Sequence, residues 1–154
     1  MNHEERAALI RRYRDAHRAV VDALEGISDD ELDRSASDEW TPRMIVHHLA
    51  DSEMTSAIRL RRLIAEDSPV IHGYDEVRFA NKLTTDRPIQ PSLEAMHWAR
   101  ESTAQILERL TEEDWRRAGT HSESGPYSVE GWLRIYAKHG HDHAEQIKRS
   151  RGRV

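Results

Sequence analysis

The chain has 154 residues, enough for one ordinary domain (1–154) and short for two. Its net charge of −5 argues against a nucleic-acid partner, whose binding rests on phosphate neutralisation, and with no cysteine any metal must be held by histidine and carboxylate. No apolar run approaches the ~20 residues that cross a bilayer, and the first residues form no secretory h-region, so a cytoplasmic protein without a membrane partner is expected.

Residues 3–25 read as a long helix. Ile10, Tyr13, His17, Val20 and Leu24 step by three and four along one face, and Gly26 suits its C-terminal end. Ser28-Asp29-Asp30-Glu31 is a capping box that opens only a short turn. Thr41-Pro42 starts a second long helix running to about residue 66, with Ile45, His48, Leu49, Ser52 and Ser56 on one face. Residues 67–90 hold Pro69, Gly73 and Pro88 and show no long period, although Tyr74 to Asn81 suit a short helix. A third long helix starts around Pro91-Ser92, with Leu93, Met96 or His97, Arg100, Ala104, Leu107 and Leu110 inward. Thr111 to Trp115 reads as a second capped turn and His121 to Pro126 as a loop. Ser128 caps the fourth long helix, to about Arg149, beyond which the basic residues 148–153 read as a frayed, solvated tail. Four long helices with decorated connections predict an all-α four-helix bundle.

The fourth helix carries the chemistry. Its stripe Val129, Trp132, Tyr136, His139, His143 keeps the spacing of an inward face, so two imidazoles take positions otherwise given to apolar core. A buried imidazole needs partners for its ring nitrogens, and a divalent metal satisfies both rings at once. Two histidines at i and i+4 make half a site. His48, on the inward face of the second helix, is the best third ligand, whereas His47 points about 100° away. Asp51, three residues after His48, is a candidate to orient a ligand imidazole, and Arg100 to bind a substrate carboxylate; a surface carboxylate and an internal salt bridge are their ordinary alternatives. His17 reads as a single buried or pocket-lining histidine, His141 as solvated, and Tyr136 and Trp132 as core. Tyr74 and Glu76 are candidates for a lid or a dimer contact.

The segment from Trp40 to Glu53, containing Trp40-Thr41-Pro42 and His47-His48-Leu49, resembles the DinB/YfiT-like superfamily. So do Ala65 to Glu76, His121 to Gly125, and Tyr136-Ala137-Lys138-His139-Gly140-His141-Asp142-His143, all in the family's order. The resemblance is to the YfiT branch, whose members look like bacillithiol S-transferases and carry the name of metal-dependent hydrolases. It implies an up-down-down-up four-helix bundle, often homodimeric, with one divalent ion, commonly zinc or nickel, on His48, His139 and His143. Relatives tend to carry a histidine pair where this chain has Asp142 and His143, a departure that touches the surroundings of the ion and not its ligands.

Three neutral imidazoles leave a divalent ion open positions, the arrangement of a catalytic site. Such an ion activates water, polarises a carbonyl or holds a thiol as thiolate. The expected function is therefore a metal-dependent S-transfer from a low-molecular-weight thiol to a small electrophile, in detoxification or stress response, with a metal-dependent hydrolase as its nearest variant. The alternative is a non-catalytic module stapled by metal or binding a small ligand.

Overall fold

Three of the four long helices begin on a side chain that caps their free N–H groups. Asn2 accepts from Glu5 at the head of α1 (His3–Leu24), Thr41 from Met44 at α3 (Pro42–Ala65), and Ser128 from Gly131 at α7 (Val129–Ser150). The remaining long helix, α5 (Gln90–Leu107), has no side-chain cap and carries Pro91 in its first turn, where the missing N–H is harmless. Between them lie the short helices α2 (Asp29–Leu32), α4 (Glu76–Leu83) and α6 (Glu112–Trp115) and the strands β1 (Val70–Ile71), β2 (Ala118–His121) and β3 (Gly125–Ser128). The computed structural model describes residues 1–35 and 39–152.

Side-chain contacts fix the helix directions. Arg6 pairs with Glu130, His141 with the Arg12 carbonyl and Arg151 with that of Ala23, so α1 and α7 run parallel. His47 meets Ser92 and Arg61 meets Ser102 and Thr103, so α3 and α5 also run parallel. Tyr13 and His17 approach Arg100 and His97, and His48 and Ser56 approach His139 and Trp132, so the two pairs oppose each other. The result is an up-down-down-up bundle. Parallel neighbours explain the long connection between α3 and α5, because the chain must return the length of the bundle before it can descend again.

That return path and the α5–α7 connection hold each other. β1 pairs in parallel with β2, Val70 opposite Thr120 and Ile71 opposite His121, and β2 pairs antiparallel with β3. The region His121 to Pro126, expected as a loop, is thus a hairpin within a three-stranded sheet. Gly119 is required in it: a Cβ there would lie 2.3 Å from the Pro69 carbonyl oxygen.

The core has two apolar clusters. One gathers Tyr13, Leu60, Leu63, Leu107, Trp115 and Trp132, and the other Val20, Leu24, Ile45, Leu49, Met96 and Ile147. Between them runs a polar layer. Arg100 of α5 is paired there with Glu53 of α3, Tyr13 of α1 donates its hydroxyl to Glu53, and Arg100 donates to the carbonyls of Tyr13 and, at 3.5 Å, of Tyr136 on α7. One ion pair therefore ties all four long helices at mid-height, with both side chains only 1% exposed.

Gly140 lets α7 close onto α1 beside this layer. An added Cβ would lie 2.9 Å from the Ala16 Cβ and 3.3 Å from the Met96 Cε. Gly140→Ala gains about 1 kcal/mol of helix propensity but forces the helices apart at a rigid contact, so a net loss of about 1–2 kcal/mol is expected in urea denaturation. Undiminished stability would show that the α1–α7 contact yields.

Two sequence expectations are corrected. Arg151 is not a solvated tail: its side chain is fully covered, pairs with Glu31 and bonds the carbonyls of Ala23 and Glu25. Arg153 lies outside the described residues. Tyr74 is not helical, because Asp75 caps α4 and the helix starts at Glu76. No helix among the described residues is long and apolar enough to cross a membrane.

Candidate metal centre

His48 sits on α3 and His139 and His143 sit one turn apart on α7, all on the same side of the polar layer. The helices are antiparallel neighbours, so one inward residue of α3 meets two successive inward residues of α7. The ring nitrogens converge: each histidine offers one ligand atom, and these atoms lie within 4.8 Å of one another. His48 Nε2 and His139 Nε2 are 3.4 Å apart. Two nitrogens at ~2.0–2.1 Å from one tetrahedral zinc are separated by about 3.3 Å, so this pair already has the span an ion needs. Among the described residues this is the group of histidine and acid side chains with the geometry for an ion.

The donors are also in the right protonation state. Burial, and then the neighbouring His143, pushes the His48 imidazole down to about 4. Burial, followed by the charges of His143, His48 and Arg100, pushes His139 down to about 2. Burial lowers His143 as well, opposed by its bond to Gln146 and by Asp142. Burial thus favours the neutral form of all three rings, the form whose lone pairs bind a cation. The residues present therefore fit a divalent ion.

The surroundings orient the rings. His143 Nδ1 donates to Gln146 Oε1 at 2.8 Å, which leaves Nε2 as the free donor of that ring. Trp40 stands 4.8 Å from the His48 ring and lies nearly parallel to His143 at 6.4 Å, walling one side of the trio. Tyr136 packs edge-on against His139 at 5.8 Å. His48 is buried while His139 and His143 are half-buried, so the pair expected deep in core keeps some exposure to solvent.

The other candidates are sorted by their contacts. His47 is buried on the far side of α3, with Nδ1 2.8 Å from Ser92 Oγ and Nε2 3.2 Å from the Arg87 carbonyl. Asp51 is half-buried and makes no hydrogen bond to the three imidazoles; burial raises its carboxyl against the pull of Arg87. Arg100 faces inward to Glu53 and not toward an open site, which removes it as a binder of substrate carboxylate. His17 packs against His97 at 4.6 Å in the α1–α5 groove, away from the trio. His141, expected in solvent, has Nε2 2.9 Å from the Arg12 carbonyl. Asp142 pairs with Lys138 on the surface. Trp132 and Tyr136 are core, with the Trp132 indole donating to the Ser56 carbonyl at 2.9 Å.

Comparison with known proteins gives a match to the DinB superfamily over residues 12–147. The chain belongs to the DinB superfamily. It is 35% identical over 139 residues to a protein of Oceanobacillus iheyensis named a putative metal-dependent hydrolase, covering 90% of this chain and 81% of that one. A similarly named protein of Halalkalibacterium halodurans is 27% identical over 127 residues, covering 80% and 74%. Among solved structures, YfiT from Bacillus subtilis, described as a probable metal-dependent hydrolase with an unusual four-helix bundle topology, superposes with a TM-score of 0.92. That match has 27% identity and covers 100% of this chain and 91% of the other. In this DinB-superfamily chain the helix order, the long α3–α5 connection and the trio of histidines are parts of one arrangement.

Proposed function

We propose that the protein is a metal-dependent enzyme whose ion, zinc or nickel, is held by His48, His139 and His143, and that it transfers a small cellular thiol to a small electrophile. The observation that carries this reading is the convergence of three neutral imidazoles at a half-open position, with His48 Nε2 and His139 Nε2 3.4 Å apart. When bound, a divalent ion there supplies Lewis acidity that activates water or holds a thiol as thiolate. His48, His139 and His143 provide the donors, Gln146 fixes the tautomer of His143, and Trp40 walls the site against water.

Thiol transfer is favoured over hydrolysis by the company the trio keeps. Among the described residues no carboxylate joins the three imidazoles, and a thiol loses its proton to a cation more readily than water does. With no cysteine in the chain, no thiolate of the protein competes for the ion. The names of the relatives support the hydrolase variant, in which the same residues act on water. A cytoplasmic setting and a role in stress response belong to this reading. So does a homodimer, for which the exposed Met54, Ile58 and Trp98 offer apolar surface.

The test is turnover of small thiols with a chromogenic electrophile, with zinc or nickel loaded and after chelation. Thiol conjugation that disappears on chelation and returns with metal is the expected result. Ester cleavage without thiol would assign the hydrolase variant, and conjugation undiminished in chelated protein would overturn the reading. Unfolding on metal removal without any turnover would support the metal-stapled alternative.

A further inference from the structure

The α3 face that carries His48 continues through Ser52 to Arg59, eleven residues on and turned by only about 20° on the helical period. Arg59 has unusual company for a half-buried cation. Its Nη1 donates to the Tyr136 hydroxyl at 3.3 Å and its Nη2 to the His72 carbonyl at 2.8 Å. Its Nε is buried with no partner. Arg6, Arg14, Arg43, Arg62 and Arg100 each hold a carboxylate, but among the described residues none lies within ion-pair distance of Arg59. Glu76 is the acid that faces it, beyond that distance.

A second orphan lies beside the first. The Tyr74 ring centroid is 5.8 Å from the Arg59 guanidinium carbon, and the Tyr74 hydroxyl is likewise buried with no partner at full hydrogen-bond distance, the Ser52 side chain being the group it faces. Buried polar groups are normally satisfied, and two adjacent unsatisfied groups, one of them charged, mark a place for a missing acceptor. The position is built from separate parts of the chain. Arg59 comes from α3, Tyr136 from α7, and Tyr74 from the segment after β1, which is anchored by Gly73 donating to Ser122 Oγ at 3.2 Å. It adjoins the metal centre through one side chain, since Tyr136 touches both Arg59 and the ligand His139.

We propose that Arg59 Nε and the Tyr74 hydroxyl form a receptor for a carboxylate on the substrate, holding it beside the histidine trio. An Arg N–H and a phenol O–H are two donors suited to the two oxygens of one carboxylate. Tyr74 is half-buried and its ring packs on Phe79 at 4.8 Å, which holds the hydroxyl in place beside Arg59. The role in catalysis rests on the metal-enzyme reading above; the binding of a carboxylate does not.

The probe is the four-carbon dicarboxylate succinate, titrated calorimetrically into the full chain, with its diamide as the uncharged control. The zinc-loaded protein and the His143→Ala variant are expected to bind succinate alike, within about threefold, with the diamide weaker by about 10–100-fold. Arg59→Gln is expected to weaken succinate by about 10–100-fold and Tyr74→Phe by about 3–10-fold. Tyr74→Phe removes only an oxygen, so it carries the test should Arg59→Gln disturb folding. The proposal is overturned if succinate shows no binding below about 10 mM, if either variant binds like the parent, or if binding requires the metal. Succinate binding retained in His143→Ala together with absent turnover would sink the enzymatic reading and leave the receptor standing.

Discussion

Replacing His143 by alanine is expected to abolish stoichiometric metal binding and to lower metal-dependent turnover by at least about 100-fold, while the bundle stays folded. Loss of a residue that merely orients a ligand already costs about 10–100-fold in metal affinity or activity, and His143 offers a donor directly. The fold should tolerate the change because His143 is half-buried and its neighbours in the second apolar cluster, Ala144 and Ile147, keep their packing. The separation of effects is measurable without knowing the substrate. Metal at a thousandfold excess over its Kd stabilises the parent by about 4 kcal/mol, and His143→Ala should lose that increment while its metal-free stability stays close to the parent's. A variant that kept the increment would place the ion elsewhere.

The second large effect concerns the layer beneath the site. Glu53→Gln leaves the Arg100 guanidinium without its anion in a position only 1% exposed, and a loss of about 3–5 kcal/mol is expected. For a chain of this size that is a fall in melting temperature of roughly 10 °C. The Tyr13 hydroxyl loses a charged acceptor in the same step, so the damage reaches α1 as well as α3 and α5. Replacing both charges by methionine should recover most of the stability, since the penalty comes from the stranded charge and not from the missing pair. The double variant is nonetheless expected to bind metal more weakly, because Arg100 ties α5 to the α7 backbone at Tyr136, one turn before His139. Thermal melts and metal titration of the three variants check this; a loss below about 1 kcal/mol for Glu53→Gln would show that water reaches Arg100.

Much of this architecture is legible in the sequence because apolar periodicity and capping residues are strong where helices are long. Thr41-Pro42 and Ser128 mark helix starts to the residue, and the same stripes that predict burial bring His48 and the His139–His143 pair to one level. Glu53 was open to the same reasoning, since it falls four residues after Leu49 and three before Ser56, yet a glutamate on an inward face is identified only once its arginine is known. The hairpin is illegible for a different reason. Ala118-Gly119-Thr120-His121 and Gly125-Pro126-Tyr127-Ser128 have little β-propensity, and they pair because the crossing connections bring them against β1. Gln146 and Trp40 act on the site through contacts that spacing alone does not announce, although Gln146 stands three residues after His143 on the same helix. The pairing of Asp142 with Lys138 is an ordinary surface contact one turn apart on α7.

The most direct measurement is X-ray absorption on zinc-loaded protein, parent and His48→Ala. The parent should show one ion per chain with three imidazole nitrogens at about 2.0–2.1 Å, and His48→Ala should lose one of them together with most of the affinity. Fewer than three imidazoles in the parent, or a spectrum unchanged by the loss of His48, would contradict the account.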